Sequence, residues 1–417
     1  MKKENIKSIT KNFLQWSQKY TRTDMIYIAK GGFWLLLGKI LVVLISLATM
    51  VAFANWLPAK TFGTYQFIIS IAGVAAIAGL PGIKTAVVRS IAKRKEGSLS
   101  AAFVTKLRWS LLGSAVLLGI AGWYFINRNL LLASAFLVPA IFLPIKSSCG
   151  IFAGFWEGRK RFDIRTRLAV LSELGIAGAL IFTLFVTNEL WIILTAFWGA
   201  TAAFYAMAYL YTQKMTRNKE IDKDLIPFGK NLTLMGVINT TASHLDRIIL
   251  WKLLGPVQVA VYSFALKPIE KVSGLIPIQN LALPKLAEKD LKNKEQKKSI
   301  FRKFLLMFLL SVPLAAIIAV AAPFIYKSIF PQYMDSIPYF QVLSLLIVTL
   351  PIGILNTALI AEIKTRYLYI TNIIVPLFKI VLFLALAALY GTWGVVIALL
   401  LSKILQGALS LYFFWKI

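Results

Sequence analysis

LLGPVQVAVYSFALKPIEKVSG, residues 253–274, begins as a membrane-spanning helix and then places Lys267, Glu270 and Lys271 within five residues. Its opening echoes an earlier stretch, WLPAKTFGTYQFIIS at 56–70. With LGPVQVAVYSF (254–264) aligned on LPAKTFGTYQF (57–67), Leu254 meets Leu57, Tyr262 meets Tyr65 and Phe264 meets Phe67, all 197 residues apart. Beyond them Gly274 meets Gly79, Ile278 meets Ile83 and Ala287 meets Ala92 at a shift of 195. The repeat asks for a duplicated fold. Charges in an apolar helix ask for a partner or a cavity beside them, because a charge at mid-bilayer costs about 2.5–3.5 kcal/mol on insertion scales.

The surrounding chain is that of a polytopic membrane protein. Of its 417 residues 59% are hydrophobic, with a mean hydropathy of +0.74, where a soluble domain has about 45–50% apolar residues. The apolar runs are continuous rather than alternating, which calls for helices and not barrel strands. They predict twelve spans, near 33–56, 62–82, 107–126, 130–154, 168–187, 190–212, 231–254, 257–283, 303–325, 337–360, 367–389 and 391–414. The first 30 residues are polar and basic, so no cleavable leader is expected. Within them Ile6, Ile9, Phe13, Trp16 and Tyr20 recur at spacings of three and four among lysines. That pattern predicts a basic amphipathic segment over 1–32 lying on the inner leaflet.

The net charge of +29 would suggest nucleic acid in a soluble protein. Here 35 of the 46 basic residues fall at the N-terminus, in the loops after even-numbered spans (with Arg108 and Lys303 at the adjoining span edges) and in the C-terminal tail. The opposite side holds only Lys60, Arg128 and Lys327. This bias puts both termini in the cytoplasm and makes most of the charge a topology signal, so no nucleic-acid partner is expected.

The two copies of the repeat bridge spans one–two and seven–eight. Six spans is an even number, so the halves enter from the same side and form a parallel repeat. The expected organisation is an N-lobe over 33–212, a cytoplasmic linker over 213–230 and a C-lobe over 231–417, with a central cavity between the lobes. Duplicated halves with a site between them are a transporter architecture.

Apart from Arg108 and Lys303 at the inner span edges, eight basic residues fall within spans: Lys39, Lys146, Arg247, Lys252, Lys267, Lys271, Lys379 and Lys403. The acids there are Glu173, Asp246 and Glu270, too few to neutralise them. Lys252 sits at an outer end, where its stem can snorkel. Lys267 and Lys271 are four apart and share a helix face. Lys379 and Lys403 are as deep. These residues, with Arg247, Lys146 and Lys39, are the candidates for binding an anion in a water-filled cavity. Prolines at 268 and 376 lie beside Lys267 and Lys379 and permit kinks there.

Several chemistries are missing. GGFWLLLGKI (31–40) has Gly-Lys, but Phe33 stands where a Walker A loop has its first glycine and Ile40 where it has Ser or Thr. One cysteine, Cys149, and one histidine, His244, make no metal site, and His244 reads as structural. No outward loop is long enough for an enzyme domain.

At this point the chain resembles a family. WLPAKTFGTYQFIISIAGVAAIAGLPGIKTAVVRSIAKRKEG (56–97) looks like the first span pair of bacterial polysaccharide and O-antigen repeat-unit flippases. HLDRIILWKLLGPVQVAVYSFALKPIEKVSGLIPIQNLALPKLAE (244–288) looks like their seventh and eighth spans. That family shares a superfamily with multidrug and toxin extrusion antiporters and lipid II flippases. The resemblance implies two six-helix lobes opening alternately to each side. It also implies an undecaprenyl-pyrophosphate-linked oligosaccharide as cargo, carried from the inner to the outer leaflet of a bacterial inner membrane. It supplies no catalytic motif, so the site rests on the charges. The expectation is a monomer, not an enzyme and without cofactor, working among membrane lipids, with glycan polymerases or glycosyltransferases as possible partners. Coupling to protons or sodium stays open, with Glu173, Asp246 and Glu270 as its carriers. Two other functions stay open as well, a cation-coupled drug exporter of the same fold and a membrane enzyme of glycan assembly such as a polymerase.

Overall fold

A computed structural model describes residues 25–275, 294–361 and 365–416. The expected amphipathic positions from Ile6 to Tyr20, and Ile278 and Ala287 of the repeat, lie outside these residues. Among the described residues the regular structure is all helical. The N-terminal half holds α1 (Met25–Trp56), α2 (Ala59–Ala75), α3 (Ile83–Ala92), α4 (Ser98–Ile126), α5 (Leu130–Cys149), α6 (Phe152–Gly158), α7 (Phe162–Val186) and α8 (Leu190–Lys214). The C-terminal half holds α9 (Leu225–Ala242), α10 (Leu245–Leu254), α11 (Pro256–Leu275), α12 (Lys294–Ile329), α13 (Ile337–Leu343), α14 (Ile352–Ala361) and α15 (Thr365–Trp415).

Among the described residues eight helices are long and apolar enough to cross a membrane, or nine if Pro331–Thr349 and Ile352–Leu359, bent by 40°, form one span. The twelve expected spans are thus not reproduced one for one. The seventh is split, since α9 stops at Ala242 and α10 restarts at Leu245. The eighth, α11, carries three charges in its second half. The last two are merged in α15, whose 51 residues would reach about 75 Å at roughly 1.5 Å per residue, over twice the hydrocarbon core. The chain breaks inside α15 at Gly391 (φ 57, ψ −131), a conformation that only glycine adopts readily. The outer surfaces are apolar, with Phe185, Val320 and Phe324 among the most exposed side chains. In lipid this is the unstrained arrangement, because the backbone polar groups are satisfied within the helices.

The two copies of the repeat meet. α2 packs along α11 and also against α10, making the seam between the halves. The Phe62 and Phe264 rings lie 4.7 Å apart, and Phe264 stacks on Tyr333 at 3.7 Å. Phe67 lies flat on Trp251 at 4.1 Å and 10°. Tyr326 and Ser336 donate hydroxyl hydrogens to the Phe264 and Val261 carbonyls, at 2.9 and 2.8 Å, and so hold α11 from the other side.

The basic end carries a second junction. The region expected to be an inward loop contains α3, which buries Ile83, Ala86, Val87, Ser90 and Ile91 along one face and packs on α9. The connection between α8 and α9 is bound to this side of the N-terminal half. Arg159 donates to both oxygens of Glu96, at 2.7 and 2.5 Å, and to the Met215 carbonyl at 2.8 Å. Glu96 also accepts the Arg217 amide at 2.6 Å. Asp222, only 4% exposed, accepts from Ser90 at 3.1 Å and pairs with Lys93 and Lys95 at 3.5 and 3.6 Å.

Candidate functional site

The helix quoted at the outset changes character along its length. From Val259 to Leu266 every residue of α11 is buried against the seam. Past that point Lys267, Glu270 and Lys271 line a cavity of about 300 Å³ between the halves. Lys267 and Lys271 reach it together because positions four apart share a face. Its other charged walls are Glu173 of α7 and Arg247 of α10. The Lys267 ammonium sits 5.6 Å above the Phe62 ring, so a cation rests where the aromatic seam ends.

Asp246 and Arg247 are neighbours that serve different spaces. Asp246 accepts the Tyr262 hydroxyl at 2.9 Å and the Arg247 amide at 2.8 Å, and it lines a C-terminal cavity of about 440 Å³. Arg247 is 8% exposed, lies 3.8 Å from Glu270 and leaves its Nε without a partner among the described residues. Glu270 lines both spaces. Lys379 and Lys403 lie on the two arms of α15. They line that C-terminal cavity and an adjoining one of about 510 Å³. Lys379 stands 5.0 Å over Phe383, and Lys403 donates to Gln406 at 3.0 Å.

A further cavity of about 370 Å³ lies in the N-terminal half and is lined by Lys84, Lys106 and Lys146. Lys146 stacks over Trp198 at 4.2 Å. Lys84 pairs with Glu157 at 3.6 Å. Lys106 is 5% exposed and donates to the Gly79 and Leu80 carbonyls at 2.6 and 3.3 Å, where the helix after α2 ends. His244 lines both this cavity and the one between the halves, and its Nδ1 has no partner among the described residues. The structural role expected for His244 therefore omits its position between two cavities. Together the four cavities are lined by eight basic and three acidic side chains.

Of the sequence candidates, Arg247, Lys267, Lys271, Glu173 and Glu270 come together at one space, Asp246, Lys379 and Lys403 at the next, and Lys146 at the third. Lys39 stands apart, lining none of the four. It donates to the Gly274 carbonyl at 3.1 Å and ties α1 to the end of α11. Lys84 and Lys106 were not among the candidates because hydropathy assigns them to a loop. The signal was present for Lys106: Leu99, Ala102, Lys106, Ser110 and Gly113 recur at helical spacing, and all are buried.

The family model for polysaccharide biosynthesis proteins matches residues 28–288, from α1 through the repeat on α11 and beyond. The chain belongs to that family. A Shigella flexneri protein assigned as an O-antigen transporter is 26% identical over 313 residues, 70% of this chain and 73% of its own length. Two likenesses concern the fold alone. The lipid II flippase MurJ, in an inward closed conformation, superposes with a TM-score of 0.69 at 13% identity, over 92% of this chain and 87% of its own. A multidrug resistance MATE transporter, outward-facing, does so with 0.65 at 15% identity, over 93% and 96%. This member of the polysaccharide biosynthesis family is thus a multi-pass membrane protein whose fold is shared with MurJ and the MATE transporter.

Proposed function

We propose that the protein is a flippase that moves an undecaprenyl-pyrophosphate-linked oligosaccharide from the inner to the outer leaflet of a bacterial inner membrane. It works by alternating access of its two lobes, with both termini in the cytoplasm. The observation that carries the proposal is the run of cavities with eight bases against three acids across the lobe boundary. A pyrophosphate entering such a space loses its water, and charge-assisted hydrogen bonds replace it. A cationic drug would meet an excess of like charge there. The protein supplies no bond-breaking chemistry and needs no cofactor for this. With the inside negative, each negative charge moved outward gains about 2.3 kcal/mol per 100 mV. Of the three carboxylates, Glu270 is best placed to carry a coupling proton or sodium ion, being half-exposed, shared by two cavities and 3.8 Å from Arg247. The protein acts as a monomer among membrane lipids, delivering substrate from glycosyltransferases to a polymerase.

Single replacement of Lys267, Lys271, Lys379 and Lys403 by Ala tests the assignment. Surface glycan should fall while the protein's abundance in the membrane is unchanged, and lipid-linked repeat units should accumulate on the inner face. Normal surface glycan in all four variants would remove the site. Single repeat units displayed outside would point to a polymerase instead.

A further inference from the structure

The larger C-terminal cavity differs from the others in chemistry. Its lining includes Asn239, Asn356, Asn372 and Gln406 beside Lys379 and Lys403, and no carboxylate among the described residues, whereas the adjoining cavity shares Asn356 and Gln406 but adds Asp246 and Glu270. The N-terminal cavity, by contrast, has three lysines and no carboxamide in its lining. Two of the C-terminal amides are fixed in orientation. Asn356 Oδ1 accepts from the Tyr367 hydroxyl and shares the single Ser410 hydroxyl hydrogen with the Gln406 carbonyl, which leaves its NH2 to donate among the described residues. Gln406 Oε1 accepts from Lys403, and its NH2 is likewise left to donate. The hydroxyls on the wall have the opposite bias. Thr357 and Ser402 donate to carbonyls of their own helices, at 2.6 and 2.7 Å, so their lone pairs remain to accept. A phosphate offers only acceptor oxygens. A sugar ring, whose hydroxyls both donate and accept, matches a wall that does both.

We infer that this cavity, between α9, α14 and the two arms of α15, is the glycan subsite, holding sugar residues through Asn356 and Gln406 with Lys379 and Lys403 donating beside them, while the pyrophosphate binds at Arg247, Lys267 and Lys271 between the halves. The inference rests on the flippase reading. At about 510 Å³ the cavity is within the range of small-ligand sites, about 300–1,000 Å³. Asn356 and Gln406 then discriminate between glycans rather than retain the lipid.

The test uses Asn356→Asp and Gln406→Glu in the full-length protein. Both substitutions keep an oxygen for the existing contacts to Tyr367, Ser410 and Lys403 and exchange the NH2 donor for a carboxylate oxygen, whose added negative charge a phosphate held in this cavity would also feel. Binding is measured in nanodiscs for two probes, the lipid-linked repeat unit purified from the producing cells and bare undecaprenyl pyrophosphate. The repeat-unit lipid should bind at least about ten-fold more weakly to each variant, with bare undecaprenyl pyrophosphate unaffected. Equal losses for both probes would place the phosphate here and overturn the subsite, and so would no loss for either. Wild-type protein that bound neither probe would sink the flippase reading itself, and the subsite with it. Wild-type protein that bound both equally would sink the subsite alone.

Discussion

Gly63 of α2 lies directly against the backbone carbonyl of Pro256, the first residue of α11, with no room for a side chain between them. The two residues belong to the two copies of the repeated stretch, so the duplicated sequence is also the surface on which the halves meet. Close backbone approach there lets the Phe62 and Phe264 rings meet at 4.7 Å, tilted by 44°. It also sets where the seam ends and the charged cavity begins, since Lys267 stands over the same Phe62 ring.

The proposed alternating access requires this seam to part, and a residue at 63 with a side chain should part it. Gly63→Leu is expected to destabilise the closed seam by about 1–3 kcal/mol, the usual effect of overpacking. Gln66 is 2% exposed and lines the cavity between the halves. In a background with Cys149 replaced by Ala, a cysteine at position 66 should react several-fold faster with an impermeant maleimide from outside once Gly63 is Leu. Glycan export should fall in parallel. Equal labelling rates would mean that the seam does not gate the cavity.

Lys106 and Lys267 are both lysines deep among helices, and they should behave differently. Lys106 donates two hydrogen bonds to carbonyls, so Lys106→Met leaves buried acceptors bare. That costs about 1–3 kcal/mol. Lys267 has no hydrogen-bond partner among the described residues, only the Phe62 face. Lys267→Met should therefore leave the melting temperature in detergent near that of the wild type, while Lys106→Met lowers it by several degrees. Similar melting temperatures for the two variants would contradict this division between a structural and a binding lysine.

What could be read in advance follows from which features leave a local signal. Tyr65, Tyr262, Phe67 and Phe264 were legible because packing at the seam keeps the same residue types at matching positions. Arg247, Lys267, Glu270 and Lys271 were legible because charge is rare in an apolar run. Asn356 and Gln406 carry no charge and passed unnoticed, although they set the chemistry of the C-terminal cavity. Lys39 is flanked by apolar residues on every side of α1, so hydropathy gives no face for it, and it faces the Gly274 carbonyl instead of a cavity. Asp222 looks like a solvated acid in a polar connection. Its burial comes from Ser90, Lys93 and Lys95, more than 120 residues earlier in the chain, and no local pattern encodes that.

The junction at the basic end makes stability depend on acid in a defined direction. Burial pushes the Glu96 carboxyl up, but the Arg159 fork and the Arg217 amide outweigh it and hold the group below the usual carboxylate range. Asp222 is held low in the same way, burial being outweighed by the Ser90 hydroxyl, the Asp224 amide, Lys93 and Lys95. A carboxylate with a depressed folded-state pKa contributes stability that is fully present above its unfolded value, about 4.3 for Glu and 3.9 for Asp, and is lost as pH falls through the folded value. The melting temperature of the wild type should thus hold from pH 7 to about 5 and drop below that. Glu96→Gln removes a charge-assisted pair worth about 1.5–3 kcal/mol. It should lower the plateau at neutral pH and flatten the acid limb, since one of the two protonations is gone. Glu96→Gln with Asp222→Asn should flatten it further. If the wild-type and Glu96→Gln curves run parallel from pH 7 to 3, the Arg159 pair contributes nothing to holding the connection between α8 and α9 in place.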